Sequence, residues 1–274
     1  MAKRLGDENG QTVPVHARSA LFDLYGDHLR RRGGTAPVAA LVRLLGSIDI
    51  AAPAVRTAVS RMVRQGWLQP VTLEGGPGYA LTPKAETRLD DAVSRVFRTR
   101  APEWDGHWDL LVTSRPAARS ARERVRNGLA FLGYAPLADG TWLAARRNPE
   151  AEGLLQAEGV TAQWFTARAG GDARALVGSA WDLDALAESY RSWLTDAQAL
   201  VGDDVDPPAT DREAFAVRSQ LVHEWRKFLF TDPGLPRDLL PEDWAGATAA
   251  EFFDRHATRL QPGAARWVDA CLRR

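Results

Sequence analysis

The chain is short of cysteine and of long apolar runs, and each shortage removes a class of protein. Its 274 residues include one cysteine, Cys271. Neither an intramolecular disulfide nor a cysteine-based zinc site can form, which fits a reducing cytoplasm. No apolar run approaches the roughly 18 residues that cross a bilayer. Residues 1–14 carry no apolar segment after their basic positions, so we expect a short disordered arm there rather than a secretion signal.

Sequence signatures of catalysis are absent as well. The chain contains no Gly-x-Ser-x-Gly, no His-Glu-x-x-His, no phosphate-binding P-loop and no Gly-x-Gly-x-x-Gly. Its five histidines are not spaced like metal ligands, and Cys271 lies on an apolar helical face, where burial is expected. We therefore predict no enzymatic activity, no metal and no resident cofactor.

The charge that is present is unevenly spread. Lys and Arg number 35 and Asp and Glu number 35, so the formal net charge is zero, which taken alone argues against a nucleic-acid partner. The first hundred residues, however, hold 15 basic and 9 acidic side chains, a net of +6, and the rest of the chain offsets them. A basic segment on an otherwise acidic chain is typical of a nucleic-acid-binding module.

That basic segment predicts a winged helix-turn-helix domain over residues 15–82. Apolar periodicity indicates three helices, of which the second is expected to be capped by Thr35 and to carry Pro37 in its first turn. Two short strands around the turn Glu74–Gly78 follow the third helix and form the predicted wing.

The third helix carries the residues expected to bind DNA. Its apolar stripe leaves the other side polar, and Arg56, Ser60 and Arg64 recur there every four residues. A major groove accepts one α-helix, whose outward side chains meet base edges and phosphates. A solvated amphipathic helix would show the same spacing, but the basic segment and the following hairpin favour DNA. The predicted DNA-binding set is Arg56, Thr57, Ser60, Arg61 and Arg64.

The middle of the chain predicts a linking helix at 83–103 and a second domain at 104–170. The order β-α-β-β-α-β indicates a ferredoxin-like arrangement. Asp109 is expected to be an exposed strand residue, because no second acidic residue or histidine is spaced to share a metal with it. The first helix of this domain carries several outward-facing arginines. We favour the interpretation that they form a solvent-exposed face without a ligand; the alternative is that they bind phosphate groups. They are Arg119, Arg122, Arg124 and Arg126.

The apolar periodicity of residues 171–274 predicts a helical domain. Two Thr-x-x-Glu sequences indicate helix starts, Thr210 with Glu213 and Thr248 with Glu251. Pro262 is expected to separate the helix opened by Thr248 from a last helix. Nine of the ten tryptophans lie beyond residue 100, and most are expected to fill the core.

Three stretches of this chain resemble the phenylacetic-acid-degradation repressor (PaaX) family of bacterial transcription regulators. LFDLYGDHLRRRGG and AVRTAVSRMVRQGWL resemble its winged-helix domain, and GHWDLLVTS with LGYAPLADGTWLA resembles its ferredoxin-like, Cas2-like central domain. LVHEWRKFLFTDPGLPRDLLPEDWAG resembles its C-terminal region. The resemblance implies an α+β multidomain chain that acts as a cytoplasmic, homodimeric repressor of transcription and binds double-stranded operator DNA.

The resemblance also implies that the helical domain at 171–274 senses an effector and dimerises, and that an aryl- or acyl-coenzyme A thioester, phenylacetyl-CoA in the founding case, releases the protein from the operator. His223 and Arg226 flank Trp225 one helical turn apart and are the effector-binding candidates, although both side chains could instead cap or pair with the loop at 232–236. Two alternatives are a metal-dependent nuclease based on the Cas2-like domain and an adaptor whose winged helix contacts protein. The nuclease alternative requires a metal role for Asp109.

Overall fold

The computed structural model describes residues 16–74, 76–87, 89, 104–202 and 210–273. The arm predicted at residues 1–14 and most of the linking helix predicted at 83–103 lie outside them. The chain folds as two compact units that do not follow chain order. The first comprises Met1–Arg98, Ser192–Arg226 and Ala249–Arg274, and the second Thr99–Arg191 and Lys227–Thr248.

The N-terminal part of the first unit consists of three helices and a small sheet. Helix α1 continues through one π-helical turn (Tyr25–Leu29) and a 3-10 turn (Arg30–Arg32) to Gly33, whose φ of 83° ends it. The strands form an antiparallel sheet in the order β1-β3-β2. The bounds are α1 Ala17–Leu24, β1 Thr35–Pro37, α2 Val38–Gly46, α3 Ala52–Arg64, β2 Leu68–Leu73 and β3 Gly76–Leu81.

The predicted cap of the second helix is wrong. Thr35 lies in β1, where it pairs with Ala80 of β3, and Pro37 rather than Thr35 precedes helix α2. The backbone of Thr35 therefore belongs to a β-strand, and the strand with which it pairs lies about forty-five positions later in the sequence. Gly78 allows the strands to meet closely, because a Cβ there would lie 2.8 Å from the carbonyl oxygen of Ala36.

One hydrophobic core joins the three N-terminal helices to the C-terminal helices of the same unit. Leu21, Leu44 and Met62 are fully buried in it, and the C-terminal residues Phe215 and Val268 belong to the same cluster. Cys271 is buried there too, at 2% exposure, as predicted. The basic N-terminal segment is thus packed against the chain's end rather than folded by itself.

The second unit contains a four-stranded antiparallel sheet in the order β5-β6-β4-β7, covered on one face by two helices. The predicted β-α-β-β-α-β order is confirmed, and the sheet order is that of a split βαβ arrangement. A further helix, α6, was not predicted. The bounds are β4 Trp108–Thr113, α4 Arg119–Phe131, β5 Ala135–Ala138, β6 Thr141–Ala144, α5 Glu150–Ala157, β7 Ala162–Ala167 and α6 Ala173–Ala180.

Asp109 of β4 is buried, so the expectation of an exposed strand residue is wrong. The hydroxyl of Tyr134 donates a 2.6 Å hydrogen bond to its carboxylate, and burial raises the pKa of Asp109. Burial, reinforced by that hydrogen bond, also raises the pKa of Tyr134 to about 12. Within the described ranges, no three His, Cys, Asp or Glu side chains lie together as a metal would require, so these residues give the nuclease alternative no support.

The C-terminal helices begin and end partly as predicted. Thr210 caps α8 by accepting a 3.1 Å hydrogen bond from the backbone N–H of Glu213. The second predicted cap is wrong, because α10 begins three residues before Thr248 and continues without interruption past Pro262. The helices are α7 Leu183–Val201, α8 Asp211–Trp225, α9 Phe228–Thr231 and α10 Ala245–Leu272.

None of the helices that the structure describes combines the length and apolar character needed to span a bilayer.

Two acidic residues, one helical turn apart, connect the first helix to α8. Arg218 donates to both carboxylate oxygens of Asp27, at 2.7 and 2.9 Å, and these side chains are only 6% and 8% exposed. Arg218 also donates to the carbonyl oxygen of Ala257 in α10. One turn earlier, Asp23 accepts hydrogen bonds from His223 and Arg226. The first helix is thereby held in one register against α8.

Arg218→Met is expected to destabilise the protein by about 3–5 kcal/mol, because it leaves the Asp27 carboxylate buried without its partner. The double variant Asp27→Val/Arg218→Met removes both charges and should recover most of that loss. Urea denaturation of the parent, both single variants and the double variant measures the coupling. Equal free energies of unfolding for Arg218→Met and the parent would contradict the buried pair.

The stability of the fold is also expected to depend on pH through His28. Burial lowers the pKa of His28 to about 4, against the opposing effect of Asp27, whereas the unfolded chain takes up this proton near pH 6.5. The unfolded state therefore binds more protons between these values, and the free energy of unfolding should fall by on the order of 3 kcal/mol as the pH drops through this window.

His28→Gln removes this titration and should show a flatter dependence of stability on pH between about 6.5 and 4. Asp27, whose pKa is lowered by His28 and Arg218 against its burial, contributes its own loss of stability only at still lower pH. Identical pH profiles for the parent and His28→Gln would refute the assignment.

Candidate nucleic-acid interface

Helix α3 presents one buried and one exposed side. Val55, Val59 and Met62 face the core of the first unit, which fixes the rotation of the helix about its axis. The helix closes at Gly66, whose φ of 69° requires a residue without a Cβ, and the N–H of Trp67 then donates to the carbonyl oxygen of Met62. The sequence-predicted polar stripe must therefore face away from the core.

All five predicted DNA-binding residues are exposed on that outer side. They are Arg56, Thr57, Ser60, Arg61 and Arg64. Among the described residues, no hydrogen bond or ion pair engages the guanidinium groups of the three arginines. Other arginines of the unit do have carboxylate partners, such as Arg266 with Asp211. Three unpaired cations on one exposed helix side can bind a polyanion without first breaking an internal ion pair.

The turn between α2 and α3 is tied to the end of helix α10. The indole N–H of Trp267 donates a 3.0 Å hydrogen bond to the Ser47 hydroxyl, and Arg43 donates to the carbonyl oxygen of Cys271. Asp49 in this turn has a φ of 62°, a left-handed conformation that aspartate tolerates better than most residues. The position of α3 thus depends on contacts with the C-terminal helix.

The hairpin β2–β3 supplies no cation of its own. Its only charged residue in the described part is Glu74, at the turn. Side chains exposed along β2 include Gln69 and Thr72, which can donate hydrogen bonds to phosphate oxygens. The arginines of α3, rather than this hairpin, provide the positive charge of the surface.

A pocket of about 400 Å³ lies beside the α2–α3 turn, within the same unit. Its walls come from α1 with its π-helical turn, from the end of α2 and the α2–α3 turn, and from α8 as far as His223. Of its residues, only His223 was predicted to bind an effector, whereas Thr210 and Glu213 were predicted as a helix cap. The sequence offered one indication of a pocket here, which is the presence of two acidic residues, Asp23 and Asp27, on the otherwise apolar side of the first helix.

The three effector-binding candidates have different surroundings. His223 lines the pocket, and its Nδ1 lies 2.6 Å from a carboxylate oxygen of Asp23. Arg226 donates to the other oxygen of the same carboxylate. The expectation that both pair with the loop at 232–236 is wrong, since Asp23 in α1 is their shared partner.

The side chain of Trp225 is packed among other aromatic rings and is not exposed to the pocket. It is 8% exposed, its ring stacks on Phe253 at a centroid distance of 4.7 Å, and Trp193 packs edge-on against it at 4.8 Å. Of the three candidates, only His223 therefore reaches the pocket.

The arginine-rich helix α4 of the second unit is largely satisfied by its own surroundings. Arg124 forms two 2.7 Å hydrogen bonds with Glu158, Arg119 pairs with Glu123, and Arg122 donates to two backbone carbonyl groups. These contacts favour a solvent-exposed helix face over a phosphate-binding one, because each arginine would have to give up its present partner in order to bind a phosphate.

Comparison with known proteins covers nearly the whole chain. Residues 16–85 match the family described as PaaX-like protein, 101–177 the PaaX protein central Cas2-like domain, and 181–270 the PaaX-like protein C-terminal domain. The transcriptional repressor PaaX of Escherichia coli (strain K12) is 30% identical over 266 residues, 93% of this chain and 84% of that protein.

A solved structure is also similar. The uncharacterized protein Rv0674 from Mycobacterium tuberculosis superposes with a TM-score of 0.64 at 27% identity, and the match covers 93% of this chain and 98% of that one. The three matched domains occur here in one chain and together span both of its compact units. The chain therefore belongs to the PaaX family of transcriptional regulators.

Proposed function

We propose that this protein is a cytoplasmic repressor of transcription whose α1–β3 segment is a winged helix-turn-helix that binds operator DNA. Helix α3 enters the major groove, and its arginines bind guanine edges or phosphates while Thr57 and Ser60 donate hydrogen bonds. The observation that carries the proposal is the exposed side of α3, where three arginines have no ion-pair partner among the described residues. The E. coli relative, named as a transcriptional repressor, supports the same assignment.

The variants Arg56→Ala, Arg61→Ala and Arg64→Ala are each expected to weaken binding to the protein's own promoter region by about 1–3 kcal/mol. Fluorescence anisotropy over a series of salt concentrations measures it. A variant that loses a phosphate contact should also lower the salt slope by about 1. Arg191→Ala serves as a matched control, because Arg191 is exposed but pairs with Glu188 in the second unit. Parent-like affinity in all three α3 variants would show that another surface binds DNA.

We further propose that the protein acts as a homodimer and leaves the operator when an aryl- or acyl-CoA thioester binds. Operators usually consist of paired half-sites that match a two-fold symmetric protein. The effector must bind the DNA-free conformation more tightly than the DNA-bound one, since equal affinity shifts nothing. The family resemblance supports the choice of thioester, and His223 at the pocket is the residue through which we expect it to be sensed.

A mobility shift with a panel of acyl-CoA thioesters tests the release. At least one aryl thioester should dissociate the parent from its promoter, and His223→Ala should require a higher concentration of it. His16→Ala, which changes an exposed histidine outside the pocket, is the control. If no thioester in the panel dissociates the promoter complex, the effector proposal is contradicted, whereas the assignment of α3 as the DNA-binding helix is unaffected.

A further inference from the structure

The edge strands of the two sheets differ in how they are protected. Among the described residues, the edge strands are β1 and β2 in the first unit and β5 and β7 in the second. An edge strand exposes backbone N–H and C=O groups that can pair with another chain, and a proline is one means of preventing such pairing. Pro37 lies in β1, Pro70 in β2 and Pro136 in β5. Strand β5 is also interrupted by a bulge and lies beside α6, which leaves β7 as the unprotected edge.

Strand β7 has the composition of a strand that can accept another strand. Its six residues, AQWFTA, include neither a proline nor a charged side chain. Phe165 of β7 is 48% exposed, and Val112 of the neighbouring β4 is 39% exposed. Both lie on the sheet face opposite to the one where Leu111 packs against the helices. An uncharged edge strand with exposed apolar side chains is a site where another chain pairs.

The backbone groups of β7 point alternately towards β4 and away from the sheet. The N–H of Ser114, at the end of β4, donates a 2.8 Å hydrogen bond to the carbonyl oxygen of Thr161. The register places Val112 opposite Gln163, two residues further along each strand. These alternate positions carry the hydrogen bonds to β4, so the residues between them turn their N–H and C=O groups outward. No hydrogen bond within the described part of the chain engages those outward groups, which belong to Ala162, Trp164 and Thr166.

We propose that β7 pairs with β7 of a second copy of this chain, in antiparallel orientation about a two-fold axis at Trp164. This inference rests on the homodimer proposed above and names its surface. Trp164 then faces Trp164 of the other copy and Ala162 faces Thr166, so that every outward N–H and C=O group of β7 gains a partner. On the open face, Gln163 of each copy lies directly against Phe165 of the other.

The charges around β7 favour a second copy as the occupant. With the axis at Trp164, Arg168 lies opposite Val160 of the other copy, and Glu158 lies opposite Gly170. Identical strands therefore meet without placing like charges opposite each other, which would be destabilising. A charged peptide, in contrast, would find no opposite charge on β7. The contact uses the same surface on both copies, and β5 at the other edge is blocked by its proline and bulge, so assembly stops at the dimer.

Sedimentation velocity of the full-length protein without DNA tests this surface. Thr166→Pro removes an outward N–H but leaves the hydrogen bonds to β4 in place, because the N–H of Thr166 faces away from β4. It should weaken dimerisation by about tenfold or more, whereas the matched control Thr166→Val, which keeps the N–H, stays within about threefold of the parent. Unchanged thermal unfolding confirms that Thr166→Pro folds. A dimer as stable in Thr166→Pro as in the parent would overturn the proposal.

Disulfide cross-linking tests the orientation and the register independently of the proline variant. In the proposed pair, position 163 of one copy lies about 4.5 Å from position 165 of the other, measured between Cα atoms, which a disulfide can bridge. Two identical positions lie on a diagonal, about 7–8 Å apart, which is too far. A mixture of the Gln163→Cys and Phe165→Cys proteins should therefore form a covalent dimer under mild oxidation, and each variant alone should not.

The native cysteine does not interfere with this experiment, because Cys271 is buried at 2% exposure. Absence of a covalent dimer in the mixture, or equal cross-linking of the mixture and of each variant alone, would overturn the proposed pairing.

The dimer surface and the proposed function fail separately. A parent that stays monomeric at the highest concentration measured would overturn both this surface and the homodimer, but not the assignment of α3, which is measured on the promoter. A parent that dimerises through β7 and fails to bind its promoter would support this surface and refute the proposed function.

Discussion

The buried ion pair between Asp27 and Arg218 is the interaction on which the arrangement of the first unit depends. Each charge is almost fully removed from water, and the desolvation cost can be offset only if both partners meet with good geometry. Two hydrogen bonds between them and a third from Arg218 to a carbonyl oxygen of α10 provide that geometry. A shifted register between the first helix and α8 would leave two buried charges unpaired.

Several features follow from that register. Asp23, one turn before Asp27, meets His223 and Arg226, and the gap between these helices and the α2–α3 turn becomes the pocket. The same turn is held by Trp267 and by the end of α10. Helix α3 is therefore exposed on one side and, on the other, connected to elements more than 150 positions away in sequence. The proposed DNA-binding side of α3 and the pocket therefore lie in the same unit and contact the same turn.

Apolar periodicity was enough to predict the helices and strands that are determined by contacts between residues close in sequence. The apolar stripe of α3 determined which side is buried, so the exposure of its arginines could be predicted, and the strand order of the second unit followed from the sequence of elements. The cap at Thr210 was predicted because its partner, Glu213, is three positions away. These are contacts within one helical turn or between neighbouring strands.

The failures have a common physical cause, which is a partner far away in sequence. Thr35 was expected to cap a helix but pairs with Ala80 in a sheet, and Asp109 was expected in solvent but is bound by Tyr134. The partners of Asp23 and Asp27 lie about 200 positions away, and no spacing rule points to them. Pro262 was expected to end a helix, yet packing of Ala264 and Val268 in the core outweighs the roughly 3 kcal/mol that an internal proline costs.

The central claim is that the exposed side of α3 reads guanine edges in the major groove, and methylation protection of the promoter tests it most directly. Dimethyl sulfate methylates guanine N7, the atom that an arginine contacts there. The account predicts two groups of protected guanines, separated by about one helical turn of DNA or a multiple of it, and loss of protection in Arg56→Ala or Arg64→Ala. Guanines that remain fully reactive in a saturated complex would contradict it.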